Sequence, residues 1–133
     1  MIINKASIAL FYYNFIEKSK EKDNYQVIAS FLDQIAHITK FGLKDDLGII
    51  MMSNYFYSFY IHKKSKLLSI FKCDKGNYDN PKIVKISLDI MAKKIMDAFF
   101  LKFKDIIEDF DGNISRFSSF RETIEDIFSS NRD

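Results

Sequence analysis

The sequence has 133 residues, 47% of them hydrophobic and 16% aromatic, with one proline, four glycines and one cysteine. Such a length fits a single domain, residues 1–133, that buries roughly two-thirds of its unfolded surface, and the aromatic content excludes a disordered chain. The lone Cys73 excludes a disulfide scaffold and indicates a reducing, cytoplasmic compartment. No apolar run approaches the ~20 residues of a membrane span. With 20 basic and 18 acidic residues, the overall charge does not indicate a polyanion-binding protein.

The chain begins with a β-prone run. Residues 3–15 contain an unbroken apolar stretch from Ile8 to Tyr13, which predicts a first strand. The stretch lacks a small-residue cleavage site, so it does not indicate a signal peptide. The charged residues 17–22 are interpreted as either a turn or a ragged second strand.

A helix is predicted next, capped by Asp23 or Asn24 and ended by Gly42 in a left-handed conformation. The residues expected on its buried face recur at three-and-four spacing. They are Val27, Ile28, Phe31, Leu32, Ile35 and Ile38.

Three β-prone runs follow, at residues 47–52, 55–62 and 66–72, and the short turns between them predict an antiparallel meander. A sheet with one wet face alternates apolar and polar residues, but these runs are apolar on both faces. We therefore expect helices on both sides, which makes an α+β three-layer sandwich around a mainly antiparallel sheet. The run 47–52 carries little charge and is placed in the middle of the sheet, whereas 66–72 is placed at its edge.

A long helix is predicted from Asn80–Pro81 to Asp111, followed by Gly112–Asn113 and a last helix. The buried face of the last helix is expected to contain Phe120, Ile124, Ile127 and Phe128. The core residues expected on opposite sides of the sheet are Phe31, Leu32, Ile35, Phe99 and Phe103.

No motif indicates catalysis. Neither His37 nor His62 has a cysteine, histidine or carboxylate three or four residues after it, and a pair of Cys73 with a histidine would require distant residues to converge. The carboxylates lie at predicted helix ends and polar faces, and no phosphate-binding glycine motif is present. The sequence therefore predicts no catalytic, cofactor or metal residue, and a protein that is not an enzyme.

Two further features of the sequence bear on nucleic-acid binding and on membrane binding. The aromatic residues 55–60 could stack RNA bases, but core packing is favoured because both sheet faces are expected to be covered, so no nucleic-acid partner is predicted. The first helix is amphipathic but has no belt of lysine or arginine. At most a peripheral membrane association is therefore predicted.

The element order resembles the longin and roadblock group of profilin-like domains, particularly small stand-alone archaeal members. Three stretches carry the resemblance: residues 28–35, residues 42–47 leading into 52–55, and residues 112–117 with Phe120 and Ile124. The opening strand favours longin over roadblock. Longin domains pair this strand with a second one before the first helix, and residues 17–22 are a poor candidate for that second strand.

The resemblance implies a non-enzymatic adaptor that binds a small GTPase or another longin or roadblock-type domain, in processes related to vesicle traffic, with a homodimer as one form. The alternative is a small-molecule-binding sensor of profilin-like architecture, which would have a pocket lined by sheet aromatics. The predicted interface combines the polar side of the first helix with the expected edge strand. Its residues are Gln26, Ser30, Asp33, Gln34, Lys66, Leu68 and Ile70.

Overall fold

The structure is a computed structural model that describes residues 1–14, 25–77 and 80–130. These residues form a mixed α/β fold with an open, antiparallel, five-stranded sheet and three α-helices. The strands are β1 (Ile2–Ile3), β2 (Ala9–Phe11), β3 (Ile49–Met51), β4 (Tyr55–Ile61) and β5 (Leu68–Asp74). The helices are α1 (Tyr25–Gly42), α2 (Pro81–Glu108) and α3 (Phe120–Ser130), with short 3-10 helices at Lys75–Asn77 and Ile114–Phe117.

The first β-prone run folds as a hairpin, so the prediction of one strand over residues 3–15 is wrong. β1 and β2 are antiparallel and joined by a tight turn. The Asn4 side chain accepts hydrogen bonds from the amides of Ala6 and Ile8, and Ser7 has a left-handed φ of 62°. The charged segment 17–22 and the predicted caps Asp23 and Asn24 lie outside the described residues.

The sheet order is β2-β1-β5-β4-β3. The meander is confirmed, but its predicted placement is wrong, because β5 is central and β3 lies at an edge. β5 is central because β1 pairs with it through Ile2 and Ile3. The lysines that suggested an edge lie at the ends of this segment: Lys66 is in the preceding turn and Lys72 has an exposed side chain.

Helices cover both sides of the sheet, because successive strand residues contribute to different cores. Ile2 belongs to a core with α2 and α3, whereas Ile3 belongs to a core with α1. Leu32 of α1 and Phe99 and Phe103 of α2 are buried as predicted. Phe31 was also predicted to be buried, but it is 60% exposed, so that prediction is wrong.

α1 reaches Gly42 as expected, but the left-handed residue after it is Lys44, with φ 55°. The side chain of Asn80 caps α2 by accepting from the Lys82 amide at 3.0 Å. α2 ends at Glu108, three residues before the predicted Asp111, and Phe103 interrupts its helical geometry. Phe120 and Ile124 of α3 are buried, and Ile127 and Phe128 pack against the same core. None of the described helices is long and apolar enough to cross a membrane.

Candidate functional site

α1 has apolar residues on the side that faces away from the sheet. Its inner side places Ala29 and Leu32 in the core. On the outer side, Val27, Phe31, Ile38 and Phe41 are between 60% and 67% exposed. A surface helix ordinarily carries polar or charged residues on the side that faces away from the core, so this outer stripe is unusual. Contiguous exposed apolar residues of this kind mark interaction sites.

One flank of α1 holds the β1–β2 hairpin. The Gln26 side-chain amide accepts from the Ala9 amide and donates to the Ala9 carbonyl, both at 2.9 Å. Farther along the same flank, the Ser7 hydroxyl donates to Asp33. Since Gln26 satisfies the backbone of β2 as a neighbouring strand would, this edge of the sheet is protected.

The opposite flank of α1 is apolar. Ile28 and Ile35 lie about half a turn from Gln26 and Asp33 at 100° per residue, and Ile28 is 37% exposed. Leu47, which precedes β3, and Ile50, within β3, pack into the same core as α1. α1 and β3 therefore contribute to the same core on one side of the sheet.

β3 forms the unprotected edge of the sheet. It pairs with β4 on one side, and no described strand pairs with its other side. Met51 and Met52 are each 48% exposed at this edge. We use the name α1–β3 surface for the outer stripe Val27, Phe31, Ile38 and Phe41 together with the outer edge of Ile49–Met51.

The predicted interface residues are not brought together. Leu68 and Ile70 are only 8% and 3% exposed in the central strand, because the predicted edge assignment is wrong. Gln26 and Asp33 bond to the hairpin, and Ser30 is partly buried. Gln34 and Lys66 are exposed on separate elements. Sequence reasoning missed the outer stripe because it assigned Val27, Phe31 and Ile38 to the buried face of the helix.

The best-connected polar cluster surrounds His62, which follows β4 and is 3% exposed. Nδ1 of His62 accepts from the Ser65 amide at 3.2 Å and lies 2.7 Å from Ser65 Oγ. Nε2 is therefore the protonated nitrogen, and it donates to Asp97 of α2 at 2.8 Å. Hydrogen bonds from Lys93 and then from His62 hold the pKa of the Asp97 carboxyl below its usual value.

This serine–histidine–aspartate combination holds a turn in place. Ser65 Oγ also accepts from the Leu67 amide, so the hydroxyl is engaged within its own turn. The ring of His62 packs 5.8 Å from that of Phe100, which keeps the imidazole among α2 side chains. The cluster therefore fastens the β4–β5 turn to α2. The sequence could not indicate this pairing, since His62 and Asp97 are 35 residues apart.

The other residues considered for chemistry lie apart from one another. His37 is exposed on α1, with its ring 4.4 Å from that of Phe41. Cys73 is 7% exposed in β5, and burial raises the pKa of its thiol to about 11. Across residues 1–14, 25–77 and 80–130, no three histidine, cysteine or acidic side chains gather in a way that could hold a metal ion.

An open groove of about 370 Å³ lies beside β2. Tyr12, Tyr13 and Tyr25 line it, opposite Ser118 and Arg121. Its aromatic residues thus come from β2, where Phe11 also lines the groove, from the chain after β2 and from the start of α1, and not from the aromatic strand β4. The volume lies within the range of small-molecule sites.

Comparison with known proteins gives no relative: the chain matches no protein-family model, no curated protein and no solved structure.

Proposed function

We propose that this protein is a non-enzymatic, longin-like binding module that associates through its α1–β3 surface with a second longin or roadblock-type domain, a copy of itself included, and that it binds a small GTPase. The outer stripe of α1 is the observation that carries this proposal. The kind of partner comes from the family resemblance.

The element order supports the longin-like assignment. A hairpin precedes the first helix, and a three-stranded meander, a long helix and a short helix follow. Longin domains have a second strand before the first helix, and residues 17–22 are a poor candidate for it. The β1–β2 hairpin supplies a strand pair ahead of α1, so the assignment no longer needs a strand in that segment.

The chemistry of α1 favours a protein partner. From Tyr25 to Gly42 the only aspartate or lysine residues are Asp33 and Lys40, and Asp33 faces the hairpin. Apolar and aromatic residues with few charges are typical of the centre of a protein interface. Burying each side chain of the outer stripe contributes about 1–2 kcal/mol at its present exposure. Part of that gain is offset by the entropy lost on association.

The spacing of the outer stripe fits a partner helix of similar design. Val27, Phe31, Gln34, Ile38 and Phe41 repeat at alternating intervals of four and three, the pattern of a helix–helix seam. Counted from Gln34 toward either end of the helix, apolar residues lie three or four residues away and then seven residues away. An antiparallel second copy would bring Phe31 near Ile38 of its mate, as a two-fold interface requires. The open edge of β3 could pair with the same edge of that copy.

The test compares two equally exposed isoleucines on different helices. Ile38 on α1 is 64% exposed and Ile83 on α2 is 70% exposed, so Ile38→Glu and Ile83→Glu add the same charge without opening the core. Sedimentation velocity up to about 100 µM measures self-association, and titration calorimetry measures binding to GTPases of the same genome in both nucleotide states. We expect Ile38→Glu to weaken association at least about tenfold. Ile83→Glu should leave it unchanged.

The proposal fails if the wild-type protein is monomeric at that concentration and binds no small GTPase. It also fails if the two isoleucine variants weaken association equally. The first outcome would favour the alternative function, a small-molecule sensor, for which the groove beside β2 is the supporting observation. Ligand-induced thermal stabilisation that is lost in Tyr25→Ala would then identify that groove as the site.

A further inference from the structure

A second apolar face lies on the first half of α2. Ile83, Ile86 and Ile90 are 70%, 68% and 67% exposed. Their spacing of three and four residues places them on one side of the helix. The opposite side holds the buried residues Ala92, Ile95, Met96 and Phe99. The three isoleucines therefore point away from the sheet, on the side of the molecule opposite α1.

Exposed lysines lie on the same helix and on the turn fastened to it. Lys82, Lys93 and Lys94 are exposed on α2 itself. Lys63, Lys64 and Lys66 are exposed in the β4–β5 turn, which the bond from His62 to Asp97 fastens to the same helix. We call the three isoleucines and these six lysines the α2 basic face.

The acidic side chains within this region are bonded to neighbouring basic groups. Asp89 accepts from Lys85 at 2.7 Å, and Asp97 accepts from Lys93 at 2.7 Å and from His62. Charge is also divided along the chain. Residues 1–104 have 17 lysines against 10 acids, whereas residues 105–133 have three arginines against eight acids. The α2 basic face belongs to the positive part.

We propose that the α2 basic face docks on an anionic membrane surface, with the isoleucines entering the headgroup region and the lysines contacting lipid phosphates. Amphipathic helices bind membranes in this manner, through an apolar face bordered by lysines. Beside the outer stripe of α1 the helix has one lysine, Lys40, 5.8 Å from the centroid of the Phe41 ring, against six lysines on the α2 basic face, and this difference separates the two surfaces chemically. Nucleic acid fits the lysines but offers nothing to three exposed isoleucines, because its binding is dominated by phosphate contacts.

The experiment is co-sedimentation with vesicles of phosphatidylcholine containing about 30% phosphatidylglycerol, compared with pure phosphatidylcholine. The wild-type protein should bind the anionic vesicles, bind the neutral ones at least about tenfold more weakly, and lose affinity when NaCl rises from about 50 to about 500 mM. Ile86→Ser with Ile90→Ser should weaken binding at least about tenfold. Lys63→Gln with Lys64→Gln should also weaken binding at least about tenfold, since each lysine near the surface contributes about fivefold to the affinity for anionic vesicles.

The control is Leu43→Ser, which removes a 74% exposed apolar side chain that lies outside both named surfaces and should bind vesicles within about threefold of wild type. Circular dichroism and thermal melts establish that every variant is folded. Absence of binding to anionic vesicles at low salt overturns the proposal, as does equal binding to neutral vesicles. Retained binding in the isoleucine variant, or tighter binding to a DNA duplex than to vesicles, indicates a purely ionic contact and overturns it as well. The isoleucine and lysine variants leave the α1–β3 surface unchanged, so their loss of vesicle binding reports on the α2 basic face and not on association through α1.

Discussion

Two phenylalanines that the sequence predicts to be buried, on opposite sides of the sheet, should lose very different amounts of stability on truncation. Phe99 is 0% exposed, and its ring centroid lies 4.9 Å from Phe103, 5.4 Å from Phe117 and 5.0 Å from Phe120. Removing a buried phenylalanine ring costs about 3–5 kcal/mol. Loss of three ring pairs places Phe99→Ala toward the upper end of that range. Phe31 is 60% exposed, so Phe31→Ala should cost about 1 kcal/mol or less.

Guanidinium unfolding followed by circular dichroism measures both free energies of unfolding, with the slope checked for constancy among variants. The protein is kept dilute, because association through the α1–β3 surface would add to the apparent stability of wild type but less to that of Phe31→Ala. Since domains of this size have a stability of about 5–15 kcal/mol, Phe99→Ala should remove a large share of it. Equal losses for the two variants would refute the division of α1 into a buried and an exposed apolar side.

Three further substitutions or labelling experiments test local features. Gln26→Ala should lower the free energy of unfolding by about 1–3 kcal/mol and increase light scattering, because it uncovers the edge of β2. Gln34→Ala, on the outer side of the same helix, should change the free energy of unfolding by less than about 0.5 kcal/mol. His62→Ala should lower the free energy of unfolding by about 1–3 kcal/mol. Asp97→Ala should lower it less, since water can replace the partly exposed carboxylate but not the buried ring. Equal denaturation midpoints for the two variants would contradict this. Burial raises the pKa of the Cys73 thiol to about 11. Maleimide labelling of the native protein at pH 8 should therefore be at least about a hundredfold slower than labelling in guanidinium. The rate for the native protein should rise about tenfold per pH unit.

The meander and the last two helices could be predicted because their signals are local. Short turns separate three β-prone runs, Asn80–Pro81 marks a helix start, and Phe120 and Ile124 recur at helical spacing. The order of the strands could not be predicted in the same way. β5 is central because it pairs with β1, more than 60 residues away, and nothing in residues 66–72 records that pairing.

The buried side of α1 was misjudged for a different reason. Six large apolar residues suggested one buried face, but α1 rests on the sheet through Ala29 and Leu32, with Ala36 packed against the same core. Small residues let a helix approach a sheet closely, which leaves Val27 and Phe31 on the far side. Composition alone does not show which of two apolar sides is inside. The exposed apolar side is the observation on which the proposed partner binding rests.

The two exposed apolar faces differ in what borders them, and this difference separates their expected environments. Around Phe31 and Ile38 the neighbouring side chains are mostly uncharged, which suits the dry centre of a protein interface. Around Ile86 and Ile90 they include lysines whose charges would be costly to bury against protein but remain hydrated among lipid headgroups. Because α1 and α2 lie on opposite sides of the sheet, a partner on α1 does not cover the face on α2. Both surfaces can therefore be occupied together, and a partner bound at α1 should not compete with vesicles.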